Sequence, residues 1–221
     1  MIGFKSTLLN ATLAITAALP LAAAGLFTSA GSAQAAALTG DLSLVGNGTA
    51  TLFANSLTFN SPNTFAVSSD PNVTNGLFSA FTEGTINNIL AFTPTSSAIN
   101  PFIDLGTDAA SISDNENIFT LTSATYQLTQ STIPNLVSIN ILTDGFFTSA
   151  LGDISNGEGI LTLQARGTVA SLQNSLNGGQ GISATYSGFY FATVPEPATV
   201  LGLGLVAAGM VMSRRRKSVV Q

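Results

Sequence analysis

The chain has no cysteine, no histidine and no tryptophan, and each absence removes a class of chemistry. Without cysteine there is no disulfide and no thiolate. Without histidine there is no imidazole ligand for a metal and no side chain that titrates near neutrality unperturbed. Basic residues are almost as scarce. Only six of the 221 residues are Lys or Arg, and five of these lie at the ends: Lys5, then Arg214, Arg215, Arg216 and Lys217. Arg166 is the one base between Ala36 and Thr193, where ten acidic residues leave a formal net charge of −9. Such a surface has no means of neutralising a phosphate backbone, so nucleic acid is excluded as an expected partner of this body. The missing cysteines do not report a compartment, because a body of about 160 residues can bury a core without covalent staples.

The same scarcity narrows catalysis. Ser and Thr abound, but the body has no His, Cys or Lys to activate one as a nucleophile. Paired carboxylates remain as a route to hydrolysis, and would have to face each other across a cleft at roughly 5 to 10 Å. The aromatic platforms of sugar clefts are few: Tyr126, Tyr186 and Tyr190 are the only tyrosines. A non-enzymatic body without a cofactor is therefore expected. The densest oxygen-rich stretch, Asp153 to Glu158 with Asp144 before it, makes Asp144, Asp153 and Glu158 a weak calcium candidate. Gly157 occupies a position where an EF-hand loop needs a ligand, so a solvated Asn156-Gly157 turn between two strands is the preferred reading. Asp114-Asn115-Glu116 reads as the start of a strand.

What is present at the ends is more specific. Lys5, an apolar stretch from Leu8 to about Phe27 and a small-residue ending have the three-part pattern of a secretory signal peptide. Ala33 and Ala35 frame a cleavage site after Ala35, and Ala35-Ala36-Ala37 frames a second one after Ala37. At the other end Val194-Pro195-Glu196-Pro197 precedes an apolar run, Ala198 to Met212, and then Ser213 and the cluster Arg214, Arg215, Arg216, Lys217. As a helix this run spans about 22 Å, short of the roughly 30 Å hydrocarbon core, but the basic flank can snorkel to a cytoplasmic interface. A membrane-spanning helix over 198–213, with the body outside, is the expectation. Pro195 and Pro197 fix φ and hold the tripeptide extended, presenting the charge of Glu196.

The tripeptide, short helix and terminal Arg cluster, in that order over Val194 to Val219, resemble the PEP-CTERM sorting signal of Gram-negative and cyanobacterial envelopes. The Thr/Asn/Gly-rich body running straight into the motif is similar to uncharacterised cyanobacterial proteins of that kind. The resemblance implies that an exosortase, a membrane-embedded cysteine transpeptidase, recognises Pro195, Glu196 and Pro197 and cleaves nearby, with Ala198 onward disposable. It implies further partners in the secretion translocon, signal peptidase, the membrane through the C-terminal helix, and exopolysaccharide. The expected organisation is a signal peptide (1–35), an extracytoplasmic domain (36–193) and a sorting signal (194–219). The expected course is export, transient inner-membrane anchoring, then the envelope or extracellular matrix. A carbohydrate-binding module is the first alternative, and exposure of the three tyrosines on one face would favour it. A carboxylate-dependent hydrolase is the second.

Between the ends, β-branched, aromatic and Thr-rich runs are separated by Gly, Asn, Asp and Pro, as in an all-β protein. Leu42 and Leu44, a Gly46-Asn47-Gly48 turn and Thr49 to Phe53 read as a hairpin, followed by a strand at Ser56 to Phe59. Asn117 to Gln130 reads as a long strand whose apolar phase changes near Ser123, the mark of a bulge. Further strands are expected around Val137 to Ile141, over Gly159 to Ala165 and over Gly181 to Ala192. Thr168 to Asn177 has helical spacing, with Thr168 as N-cap and Gly178-Gly179 as the stop, and a second helix is expected over Glu83 to Ala91 unless that segment is a short strand. The phenylalanines of Thr51–Phe53, Asn117–Leu121 and Ser187–Phe191 are assigned to the core. The fold class expected is mainly β: an antiparallel β-sandwich or jelly-roll-like domain with one or two short helices.

Overall fold

Between Gly40 and Thr193 most strands alternate buried and exposed side chains, which in extended backbone gives each strand one inward and one outward face. The computed structural model describes residues 37–92 and 98–194. The strands are β1 (Gly40–Leu52), β2 (Leu57–Phe59), β3 (Thr64–Val67), β4 (Glu83–Ile86), β5 (Ile99–Gly106), β6 (Ile118–Gln130), β7 (Leu136–Thr148), β8 (Ile154–Arg166) and β9 (Ile182–Thr193). One α-helix, α1 (Val169–Asn177), joins β8 to β9, and 3-10 turns occupy Gly76–Ala80 and Ser111–Ser113.

Pairing is antiparallel and follows the chain from β3 to β9, and β9 pairs back to β1 from Gly40↔Ala192 to Leu52↔Ile182. Both β2 and β3 lie antiparallel to β1, against Ala50–Leu52 and Leu44–Gly46 respectively. They are two halves of one stave, interrupted at residues 60–63. The result is a closed up-and-down barrel of eight staves, not the expected sandwich or jelly-roll. The correction has a simple physical origin. A strand with one buried face reads the same in a sandwich and in a barrel, and only the pairing of the first strand with the last removes the open edges.

Three local expectations change with it. The proposed hairpin at Gly46-Asn47-Gly48 is one continuous strand with a bulge between Val45 and Thr49. Its glycines are there for space: a Cβ on Gly46 would run into the Tyr186 ring, and one on Gly48 into the Pro62 carbonyl. The helix considered for Glu83 to Ala91 is instead β4 followed by a single bridge, Leu57↔Ile89. Asn156-Gly157 lies inside β8 rather than in a turn; the chain reverses at Ser149–Asp153, where Ser149 N donates to the Asp153 carbonyl at 2.9 Å. The bulge expected near Ser123 is present, as a register shift between Leu121 and Ser123 on β6. Helix α1 is capped as expected: the Thr168 side chain accepts from Ser171 N and Ser171 Oγ accepts from Thr168 N.

The barrel is filled, not hollow along its aromatic centre. Phe119 packs tilted against Phe147 at 4.7 Å and edge-to-face against Tyr190 at 5.3 Å between ring centroids, and Phe102 extends the cluster at 6.3 Å from Phe119. Glycine on one strand makes room for an aromatic ring on the next, as where Gly159 of β8 faces Tyr190 of β9. Leu172 and Leu176 of α1 are buried at the end where β8 passes to β9. At the opposite end Phe78, in the first 3-10 turn, is fully buried with its ring 4.9 Å from Phe147.

Among the described residues no helix is long and apolar enough to cross a membrane. The expected spanning helix, 198–213, lies outside the described residues. The described residues supply no such anchor, and the membrane as a partner through that helix, with the transient inner-membrane stage built on it, is not carried into the functional reading.

Candidate functional site

The meander puts both ends of the described body at one pole of the barrel. Each odd passage of the chain starts there, so β1 begins and β9 ends side by side, with Gly40 opposite Ala192 and Asn156 opposite Thr193. Ahead of β1, Ala37 and Leu38 are already buried, at 5% and 4% exposure. The Leu38 carbonyl accepts a hydrogen bond from the buried Ser155 hydroxyl, and the Thr39 carbonyl accepts from Leu77 N at 3.0 Å. Past β9, Val194 stands half exposed. The sequence-predicted residues Ala33 and Ala35, Pro195, Glu196 and Pro197, and Arg214, Arg215, Arg216 and Lys217 lie outside the described residues. The structure shows where the two segments join the body: on neighbouring strands, at the same pole.

That pole is also where the negative charge is. Asp41, Asp70, Glu83, Asp104, Asp108, Asp114, Glu116, Asp144, Asp153 and Glu158 all fall in the half of the barrel or the loops nearest it, given the strand directions. Arg166, the only base of the body, ends β8 at the far pole, opposite Leu136. Ten like charges gathered on one half of a small barrel give a field of one sign at that end, which repels anionic surfaces and concentrates cations.

Of the weak calcium candidate, the structure brings two members together and leaves the third apart. Asp144 of β7 is directly opposite Glu158 of β8 on the outer wall, and Asp144 Oδ2 accepts from Ser123 Oγ at 2.7 Å. Asp153 sits in the β7–β8 turn, beyond the last register pair, Thr148↔Ile154. Among the described residues no group of three Asp, Glu, His or Cys side chains is gathered closely enough to hold a metal ion. The Asp144–Glu158 pair is exposed on the outer wall, with the two carboxylates on directly opposed residues of neighbouring strands.

A different carboxylate is the unusual one. Asp104 on β5 is only 2% exposed. Its Oδ2 accepts from Asn115 N at 3.0 Å, whereas its Oδ1 is buried with no hydrogen-bond partner. Burial holds its carboxyl above the usual range; the Asn115 N–H works against this, and the charges of Asp114 and Glu116 add to it. Sequence reasoning passed over this residue, although an aspartate inside the apolar run Phe102-Ile103-Asp104-Leu105 was a readable signal.

The tyrosines do not make a binding face. Tyr186 and Tyr190 point into the barrel and are buried, and Tyr126 is half-buried against Phe92. Their removal from solvent pushes Tyr186 up to about 12 and Tyr190 higher still. Tyr186 has a partner, donating to the Thr64 carbonyl at 3.1 Å. The Tyr190 hydroxyl has none of good geometry: Thr143, beside it, donates instead to the Gly159 carbonyl. The outward aromatics are Phe189 and Phe191, about 40% exposed and not in the core as expected. Phe189 lies between Ser43 and Ile160 at the edge of a shallow depression of about 360 Å³ over β1, β9 and β8.

Residues 193–217 match the family model described as the PEP-CTERM protein-sorting motif. The match begins at the last residue of β9 and leaves the barrel outside it. No curated protein and no solved structure matches the chain.

Proposed function

We propose that this chain is an exported envelope or extracellular-matrix protein whose C-terminus is recognised at Pro195-Glu196-Pro197 and cut nearby by an exosortase-like enzyme, the barrel itself being a non-enzymatic structural body. The observation that carries the reading is the sorting motif over 193–217, which starts where the folded body ends. Three features support the rest. Pro195-Glu196-Pro197 follows β9 with only Val194 between them, so cleavage beyond β9 would leave the barrel whole. The body has no histidine, cysteine or lysine to activate a nucleophile. Its Thr/Asn/Gly-rich outer wall suits an extracellular surface. Delivery by the secretory translocon, removal of 1–35 by signal peptidase, and a place beside exopolysaccharide in a cyanobacterial-type envelope belong to the same proposal.

The test is intact mass of the protein from its native host, beside a Glu196→Ala variant. Loss of the residues beyond the motif in the wild type, with the variant at full length, is the expected result. The same C-terminus in both would sink the proposal and make Pro-Glu-Pro a stiff linker.

A further inference from the structure

We infer that the β5–β6 segment, residues 107–117, is a pH-sensitive flap on the outer wall of the barrel with Asp104 as its latch, shut while the Asp104 carboxyl is protonated and loosened when it ionises. The placement comes first. Ile103 and Leu105 belong to the core, so Asp104, between them on β5, is turned to the outer face, in register with Thr85 of β4 and Ile118 of β6. A carboxylate on an outer wall is ordinarily wet. This one is 2% exposed, because the chain folds back over it. Hydrogen bonds fasten the returning segment to the wall: Thr82 Oγ1 donates to the Thr107 carbonyl at 2.9 Å, Thr85 Oγ1 to the Ile112 carbonyl at 2.9 Å, and Asn115 N to Asp104 Oδ2 at 3.0 Å. Ile112 is the only buried side chain between residues 107 and 116, so little apolar burial holds the flap down and these bonds carry its closure.

Ionisation works against that closure. Asp104 Oδ1 is buried without a donor, and an oxygen kept from water unpaired costs far more on a charged carboxylate than on a neutral one. The charged groups of the segments packed around Asp104 are Glu83 on β4, Asp108 and Asp114 on either side of the 3-10 turn, and Glu116 ahead of β6. All are acidic, and Arg166 is at the other pole. Burial is the largest influence and holds the Asp104 carboxyl above the usual range; the Asn115 N–H lowers it by less, and Asp114 and Glu116 raise it further. With the flap open, Asp104 meets water and titrates as an ordinary aspartate, at about 3.9. Above about pH 4 the closed flap therefore binds more protons than the open one, so closure is complete below that pH and weakens as pH rises through the raised value. This inference is independent of the sorting reading and fails or stands without it.

The measurement is hydrogen–deuterium exchange of the exported protein, read as protection factors over residues 107–117 between about pH 4 and 7, with β7 and β8 as the internal reference. Protection in the flap is expected to fall as pH rises, by on the order of tenfold in all and by no more than about tenfold per pH unit, while the two strands hold theirs. Asp104→Asn keeps an acceptor for the Asn115 N–H without a charge and should stay protected at every pH. The double variant D114N/E116Q changes only exposed side chains and should keep a fall of the same sign, because burial is the larger cause; it decides the matter even if Asp104→Asn does not fold. Protection independent of pH in the wild type overturns the latch. So does a fall that persists in Asp104→Asn, or one that the double variant abolishes, since either would be repulsion among the exposed carboxylates of the loop.

Discussion

At the residue scale, the barrel interior is settled by pairs of unequal size. Tyr190 occupies volume that a side chain on Gly159 would need, and Tyr186 does the same opposite Gly46, so the two tyrosines are core residues despite their hydroxyls. This has a consequence for alkaline pH. In the unfolded chain a tyrosine ionises near pH 10, while in the barrel Tyr186 holds its proton to about 12 and Tyr190 beyond that. The native state therefore binds more protons than the unfolded state above pH 10, and stability, fully present below that pH, falls as pH rises toward 12. For Tyr186 alone the loss should reach about 2 to 3 kcal/mol at the top of that window. Chemical denaturation at a series of pH values between 9 and 12 measures it, and Tyr186→Phe should flatten the decline; a decline unchanged in that variant would assign it elsewhere.

At the element scale, α1 was legible because its signals are local. Thr168 caps it, Ser171 returns the hydrogen bond, Leu172 and Leu176 share its buried face, and Gly178 with Gly179 ends it. Thr168→Ala removes one half of the reciprocal cap and is expected to cost about 1 kcal/mol in urea unfolding at unchanged slope. The strands were less legible where glycine intervened. Gly46 and Gly48 on β1, and Gly157 on β8, look like turn residues in a sequence, but each stands mid-strand where an added Cβ would strike a ring or a carbonyl. Turn chemistry and close packing both select glycine, and only the neighbouring strand shows which of them applies.

At the scale of the whole molecule, closure of β9 on β1 joins the ends of the body. Gly40 pairs with Ala192, so the residues ahead of β1 and the sorting motif after β9 leave the body from one pole, the acidic one. Circular permutation checks this directly. A chain that joins residue 194 to residue 37 through a short Gly/Ser linker and opens in the exposed β6–β7 turn, at Thr132–Ile133, should still fold, with a far-UV spectrum like that of the parent body and cooperative unfolding. A sandwich with its ends on separate sheets would not tolerate that joint, so an unfolded permutant would count against the barrel.

The sequence by itself determined the strand-forming runs, the bulge near Ser123, the capped helix and the sorting motif, because each of these is written in neighbouring residues or in composition. It misplaced Asn156-Gly157 and Phe189, since a turn and a tight crossing call for the same residues and a barrel wall exposes what a sandwich core would hide. Closure, the single acidic pole and the stranded oxygen of Asp104 were decided by tertiary structure alone. The pairing of β1 with β9 joins residues 130 to 152 positions apart, and no local pattern distinguishes an edge that will be covered from one that will close on itself.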